Sequence, residues 1–374
     1  MKSQSLSYHE TPAIGASQSE IDTPCVIVDL QAAEQNISTL LERFERYPSV
    51  SVRPHLKTAK SPHLAQIMLQ RGAKGICVAK ISEAEVFVQA GITDILITTE
   101  IAGALKVARL MQLANRCPEL RVVIDNEAAV HAIEDAAEAL KHKLKVLIDL
   151  NVGQNRTGVN TSEEAVALAN TVARLAHLEL IGVQGYEGHL QHLEAAEREA
   201  KCREAMSKLN GVANALREKG HTIQSVTTGG TGTAEICASC EGITEVQPGS
   251  FVFMDTSYSR ATERAYQHAL SVYATVISKP ENNRVVVDAG TKSLSIDMGY
   301  AEIAGHLDWT YTPGGDEHGI IKAESGVINL VPGDRIELLP AHIDTTVALH
   351  DRYYVMRGAK LEAIWHIATR GKVQ

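Results

Sequence analysis

The stretch LKVLIDLNVGQNRTG, residues 144–158, decides the fold: an apolar, β-branched run ends abruptly in a loop of Asn, Gly, Gln and Arg. Such a run suits a strand buried on both faces, as in a parallel sheet covered by helices. Outward from it the same grammar repeats. Strand-like runs begin near Val50 (VSVRP), Gly75 (GICVAK), Asp94 (DILITT), Leu120 (LRVVID), Leu144, Leu178 (LELIGVQG), Thr222 (TIQSVT) and Thr244 (TEVQPGS), with helix-like stretches between them. Eight βα units match the strand count of a closed (β/α)8 TIM-type barrel, an open doubly wound sheet being the alternative. A ninth apolar run, 25–30, is therefore placed outside the barrel as a candidate partner of a C-terminal sheet. After about Ala269 the texture changes to LSVYATVIS, RVVVDAG, GIIKAES, DRIELLP and YYVMRG, split by turn signals at Asn282-Asn283 and Pro332-Gly333-Asp334. The reading is an α/β protein: a barrel over 31–268, then an all-β domain over 269–374, with residues 1–30 as candidates to join the latter.

Composition narrows the function classes. With 374 residues, 44% hydrophobic and 22% charged, the chain is an ordinary globular one. Lys plus Arg number 36 against 45 Asp plus Glu, a formal charge of -9, which argues against a phosphate-backbone binder and so against nucleic acid as a partner. No apolar run approaches the roughly 18 residues of a membrane span, and the opening MKSQSLSYHE lacks the apolar core of a signal peptide. The expectation is a cytoplasmic protein with no membrane partner. Six cysteines (Cys25, Cys77, Cys117, Cys202, Cys237, Cys240) in so long a chain make no disulfide framework and are read as free thiols.

In a TIM-type barrel the active site lies where the βα loops converge, at the C-terminal strand ends. Five polar segments fall there: 53–58 (RPHLKT), 151–158 (NVGQNRTG), 186–192 (YEGHLQH), 227–232 (TTGGTG) and 247–250 (QPGS). A lone lysine is ordinarily a surface residue. Lys57, at a strand end with His55 and Arg156 in the same mouth, is instead placed where like charge and desolvation turn an amine into a Schiff-base nucleophile, which makes pyridoxal phosphate a natural cofactor. Thr228, Gly229 and Gly230, with Gly249 and Ser250, offer small residues whose N–H groups can approach an anion, in the loops after strands seven and eight where such barrels often hold a phosphate. His342-Ile343-Asp344 follows an apparent strand. In extended chain, residues i and i+2 share a side, so an imidazole and a carboxylate can face one divalent ion. Cys237-Ala-Ser-Cys240 lacks a second ligand pair and is read as structural. His189 and His192 are both candidates for a general base.

These pieces together resemble the fold-type III pyridoxal-phosphate enzymes, and among them the D-threonine aldolase and D-serine dehydratase-like family. The carriers are TPCVIVDL (23–30), RPHLKT (53–58), GQNRTG (153–158), TGGTG (228–232), QPGSFVFMD (247–255), VDAGTKS (287–293), DEHG (316–319) and PAHIDTT (340–346). The resemblance implies a barrel followed by a β domain, in a head-to-tail homodimer whose active site the neighbouring subunit completes. It implies that Lys57 holds the cofactor, Arg156 bonds its phenolate oxygen and Tyr186 lies near the ring nitrogen. Thr228, Gly229, Gly230, Gly249 and Ser250 would hold the phosphate, and His342 and Asp344 the metal: Mn2+ first, with Mg2+ and Zn2+ also fitting. Family aldolases resemble this chain in H-x-D, in Gln191-His192 and in Asp316-Glu317-His318-Gly319, whereas dehydratases more often carry H-x-C. The chain departs from the aldolase pattern at His189, an extra histidine, and its Leu56-Lys57-Thr58 occurs among the dehydratases too.

The expected reaction is therefore metal-assisted retro-aldol cleavage of a D-3-hydroxy amino acid, D-threonine in type, to glycine and an aldehyde. The metal would acidify the 3-hydroxyl, and His192 would take its proton. The alternatives are a D-serine or D-threo-3-hydroxyaspartate dehydratase, releasing ammonia and a 2-oxo acid, and a non-catalytic pyridoxal-phosphate carrier that needs no metal.

Overall fold

A computed structural model describes residues 11–374; the opening ten residues, read above as no signal peptide, lie outside the described residues. The chain forms two compact units, one of residues 11–33 with His268–His366 and one of Glu34–Gln267 with Ile367–Gln374. In chain order, β1 (Cys25–Asp29) belongs to the first. The second contains β2 (Ser51–Val52), β3 (Ile76–Val78), β4 (Ile95–Ile97), β5 (Arg121–Ile124), β6 (Leu144–Asp149), β7 (Leu178–Gln184), β8 (Ser225–Thr228) and β9 (Glu245–Val246). The first resumes with β10 (Leu270–Glu281), β11 (Arg284–Val287), β12 (Glu302–Ile303), β13 (Trp309–Pro313), β14 (Gly319–Ala323), β15 (Arg335–Leu339), β16 (Arg352–Arg357) and β17 (Lys360–His366).

All eight expected barrel strands are present and parallel, in the order β2-β9-β8-β7-β6-β5-β4-β3. The ring closes through a parallel bridge between His55 and Cys77, with Leu56 N–H donating to Cys77 O and Cys77 N–H to Pro54 O, each at 2.8 Å. Continuous apolar runs were the signal for strands covered on both sides, and every residue of β3 and β4 is buried. The intervening helices bury one stripe each. The helix Ala104–Arg116 turns Val107, Leu110, Met111 and Ala114 inward at three- and four-residue spacing, and each such large side chain contributes about 1.5–3 kcal/mol of burial.

Two segments of the barrel unit depart from the sequence reading. Arg53 was grouped with the mouth loop, but its guanidinium reaches the opposite end of the barrel, pairing with Asp94 just before β4 (2.7 Å) and with Glu245 at the start of β9 (2.8 Å). Gly75 makes room for it: at φ +108°, a Cβ there would stand 2.2 Å from Arg53 Nη1. The stretch 367–374, read as part of the β domain, packs with the barrel unit, Gln374 O accepting from Ser82 Oγ at 2.8 Å.

In the other unit β1 lies between β10, antiparallel, and β16, parallel, so the run 25–30 does join the C-terminal strands. The sheet runs β13-β14-β11-β10-β1-β16-β17, with β15 pairing β10 and β12. Its core gathers Val272, Val276, Val285, Val287, Tyr311, Ile321 and Leu338. The strands β12, β13 and β17 were not anticipated. Among the described residues no helix is long and apolar enough to cross a membrane, and all six cysteines are free.

Candidate active site

Because the barrel strands are parallel, the loops after β2, β4, β6, β7, β8 and β9 open on one end. Lys57 follows β2. Its neighbours Leu56 and Thr58 are buried while Lys57 is exposed, and its backbone N–H donates to His55 Nδ1 at 3.3 Å. With Nδ1 accepting, His55 Nε2 carries the proton and donates to Thr98 Oγ1 after β4, at 3.0 Å. His55 N–H in turn donates to Pro248 O at 2.9 Å. The turn that presents Lys57 is thus fixed from both sides.

The loops after β6 and β7 are joined side by side. The Arg156 guanidinium stands over the Tyr186 ring, 5.6 Å from its centroid, and Gly188 N–H donates to Gln154 Oε1 at 3.2 Å. The two histidines separate here. His189 lies against Gly153 in a cavity of about 280 Å3 lined also by Lys201, Glu204 and Lys208 of the helix Ala195–Glu218. His192 instead packs its ring against Tyr258, centroids 4.5 Å apart, beyond the loop that carries Gly249 and Ser250.

The loops after β8 and β9 form a donor-rich cradle. Gly249 N–H and Phe251 N–H converge on Thr231 Oγ1, each at 3.2 Å, an arrangement that equally suits an anion's oxygen. A Cβ on Gly249 would stand 2.8 Å from His55 O and close the gap to the Lys57 turn. Beneath the cradle is a residue sequence reasoning missed as a partner. Glu187 is fully buried and accepts from Thr228 Oγ1 (2.8 Å), Thr233 Oγ1 (2.5 Å), Gln191 Nε2 (3.3 Å) and Gly229 N–H (3.4 Å). These donors replace the water a buried carboxylate loses. The Thr228 hydroxyl and the Gly229 N–H are therefore directed at Glu187, while Gly230 N–H donates to Thr233 Oγ1 at 3.0 Å. Ser250 is buried at the start of a short helical turn.

Asp149, the last residue of β6, is buried at the same end. Burial, then the charge of Glu100 and a hydrogen bond with it, push its carboxyl up to about 7 against the donors Gln184 and Thr157. A native carboxyl that keeps its proton between about pH 4 and 7, where the unfolded chain has lost it, makes stability fall as pH rises through that window. Asp149→Asn is expected to remove this slope, gaining on wild type above pH 7 and losing the advantage toward pH 5. Urea denaturation across pH checks it, and parallel curves would contradict it.

The His342-Ile343-Asp344 segment is not extended, as the sequence reading had it. His342 is the N-cap of the helix Ile343–Val347 and Asp344 lies in its first turn. The pair still converges, His342 Nε2 lying 4.0 Å from Asp344 Oδ2, a separation one ion with bonds near 2.1 Å can bridge. A further group, not foreseen, orients the imidazole: His342 Nδ1–H donates to Asp297 Oδ2 at 2.8 Å, and Asp297 Oδ1 accepts from Ser295 Oγ (2.7 Å) and Thr345 Oγ1 (3.0 Å). Burial raises the Asp297 carboxyl, but the hydrogen bonds from Ser295 and His342 outweigh it and hold the group below its ordinary value. A carboxylate backing a histidine in this way is the usual support of a metal ligand. The His, Cys and acidic groups that come together in threes among the described residues are others: Glu187, Cys202 and Cys237, all buried. Cys237 Sγ lies 3.4 Å from Cys202 Sγ, so its partner is not Cys240 of the C-x-x-C spacing. The motifs 287–293 and 316–319 meet as well, Lys292 pairing with Glu317 at 2.6 Å.

The barrel thus carries a lysine, an arginine-tyrosine pair and a donor-rich cradle at its mouth, and the same chain has a β unit with a backed His-Asp pair, a set of groups that fits an enzyme. Residues 28–257 match the family model of the alanine racemase N-terminal domain, and residues 269–356 that of a putative serine dehydratase domain. The chain is 39% identical to a D-threonine aldolase of an Arthrobacter species, covering 96% of this chain and 95% of that one. It is 30% identical to the D-threo-3-hydroxyaspartate dehydratase of a Delftia strain, over 95% and 96%. The crystal structure of a D-threonine aldolase from Filomicrobium marinum superposes with a TM-score of 0.93 at 35% identity, over 97% of this chain and 99% of that one. The chain belongs to the D-threonine aldolase and D-serine dehydratase-like family of lyases, on an alanine racemase-like fold.

Proposed function

We propose that this protein cleaves D-3-hydroxy amino acids of the D-threonine type to glycine and an aldehyde, using pyridoxal phosphate and a divalent metal ion. Family membership supports the cofactor, and the donor set at the mouth fits it. Lys57 would hold it covalently, Arg156 and Tyr186 would contact its ring, and Gly230, Gly249 and Ser250 would carry its phosphate, with Glu187 anchoring Thr228 and Gly229 behind them. When bound, the cofactor supplies an electron sink for the bond pair released on cleavage. His342 and Asp344 would hold the ion, Mn2+ in first place, and a divalent ion acidifies a hydroxyl it binds. Of the two histidines we assign the base to His192, because His189 is turned against Gly153 and the helix Ala195–Glu218. We further propose a homodimer working in the cytoplasm, where its buried free thiols stay reduced.

The observation that carries the aldolase reading over the dehydratase is Asp344: the second ligand position beside His342 holds a hard carboxylate oxygen where the eliminating relatives more often resemble H-x-C. The test is to incubate the cofactor-loaded protein with D-threonine, with and without Mn2+, and to quantify glycine, acetaldehyde, ammonia and 2-oxobutanoate together. Metal-dependent glycine and acetaldehyde are expected. Ammonia with 2-oxobutanoate would replace the reading with the dehydratase.

A further inference from the structure

The floor of the barrel mouth holds two acids that the proposed reaction does not use. Asp149 ends β6 and is 5% exposed. Its Oδ1 accepts from Gln184 Nε2 and its Oδ2 from Thr157 Oγ1, each at 3.0 Å. Glu100, in the loop after β4, is hydrogen-bonded to it. Ionised carboxylates are acceptors only, so a bond between two of them requires a proton on one. Glu100 Oε1 makes the same demand: it is buried and meets no N–H or O–H donor among the described residues, and a buried acceptor left unserved is costly. Two carboxyls in one site do not both ionise readily, and the Asp149 carboxyl, pushed up to about 7 by burial and by Glu100, agrees.

The pair is tied to the loop that carries Arg156. That loop leaves β6 and returns to it, Val159 N–H donating to Asp149 O and Asn151 N–H to Val159 O, each at 2.9 Å. Only glycine fits the return, since a Cβ on Gly158, at φ +96°, would stand 2.7 Å from Asn151 N. Gly158 N–H donates to Asp125 Oδ2 at 3.2 Å. Next to Arg156 in the chain, the Thr157 hydroxyl is the side-chain bond from the rim of this loop down to Asp149. The charged groups brought to the pair by its neighbours are Asp125 after β5 and Arg156 on the loop itself. From β7 and β9 come the neutral Gln184 and Gln247, while Glu187 is turned to Thr228 and Thr233. From β2 comes His55, linked to the pair through Thr98 and Gln184, with the neighbouring Lys57. We infer that Asp149 and Glu100 form one positioning unit, holding a single proton between them, whose bond to the Thr157 hydroxyl sets Arg156 for the cofactor ring, an assignment that rests on the function proposed above.

The probe is pyridoxamine phosphate, which keeps ring and phosphate but has no aldehyde to join Lys57, titrated calorimetrically into the cofactor-free protein. Thr157→Ala is expected to weaken binding about 3- to 10-fold, the effect of one hydrogen bond, whereas Thr157→Ser keeps the hydroxyl and binds like wild type. Thr157 is only half-buried, so both variants are expected to fold. In an Arg156→Ala background the same Thr157→Ala change is expected to add nothing, because it acts through Arg156; a merely structural residue would add its own loss. The shared proton is read without any cofactor. In urea denaturation across pH, Glu100→Gln is expected to remove the same pH slope as Asp149→Asn, and the double variant to remove no more. Wild-type affinity in Thr157→Ala, or its full loss repeated in the Arg156→Ala background, would overturn the positioning role, and a wild-type slope in Glu100→Gln would overturn the shared proton. Failure of the wild-type protein to bind the probe would instead overturn the cofactor reading, and the role of Arg156 with it.

Discussion

Lys57→Ala is expected to abolish both the protein-bound absorbance of pyridoxal phosphate and the cleavage of D-threonine, with turnover falling by on the order of 10^3-fold or more, as for loss of a positioned proton-transfer group alone. The physical case rests on how the side chain is presented. Leu56 and Thr58 are buried on either side, the Lys57 N–H is held by His55 Nδ1, and His55 is held by Thr98 and Pro248. On the proposed reading, an amine set on so fixed a turn, beside a cradle of backbone donors, would be placed to react with an aldehyde whose phosphate those donors hold. Lys57 is exposed, so the substitution opens no cavity in the core. The thermal unfolding midpoint is therefore expected to stay within the small range typical of surface changes, about 0.5 kcal/mol in stability. Retention of the absorbance, or of turnover, in a variant that melts like wild type would remove Lys57 from the role.

Much of the barrel was legible because its signal is local. The strands β3 to β8 are read from β-branched runs that need no knowledge of their neighbours, and the polar loops that follow mark the mouth by period alone. What escaped was pairing at a distance. Glu187 takes its donors from Thr228 and Thr233, 41 and 46 residues further on, and no spacing within its own loop announces them. Arg53 sat in a motif that looked like one unit, yet its guanidinium goes to the opposite end of the barrel from Lys57, and only a map of the strand starts shows that Asp94 and Glu245 await it there. A faint signal existed in Gly75, a glycine at a strand start that makes sense once a large side chain must pass it. The β unit was harder: β12 has two residues, and in β13 the alternation of WTYTP buries only Tyr311. The H-x-D motif was found for the wrong geometry. Reading DRIELLP as a strand invited its extension through His342, whereas the chain turns into a helix there.

That correction sharpens the second large effect. His342→Ala is expected to eliminate the response to added Mn2+ along with most of the turnover, because a lone Asp344 cannot hold a divalent ion against water. Truncation alone would not separate a metal ligand from a residue the fold requires. Asp297→Asn does so. The residue lies 45 positions before His342 and reaches it only through the imidazole, accepting the Nδ1 proton and so leaving Nε2 with its lone pair toward Asp344. An amide oxygen can accept the same bond but returns less electron density to the ring, so the ligand becomes less basic without leaving its place. Loss of such a backing carboxylate typically costs 10- to 100-fold in metal affinity. The expected outcome is therefore a Mn2+ activation constant raised about 10- to 100-fold in Asp297→Asn, with turnover at saturating metal close to wild type. If the activation constant were unchanged, Asp297 would be an ordinary structural acceptor; if saturating Mn2+ failed to restore turnover, His342 would act on the reaction by some route other than the ion. A right shift in metal dependence with the plateau preserved belongs only to a histidine that binds the metal through Nε2 while Asp297 holds Nδ1.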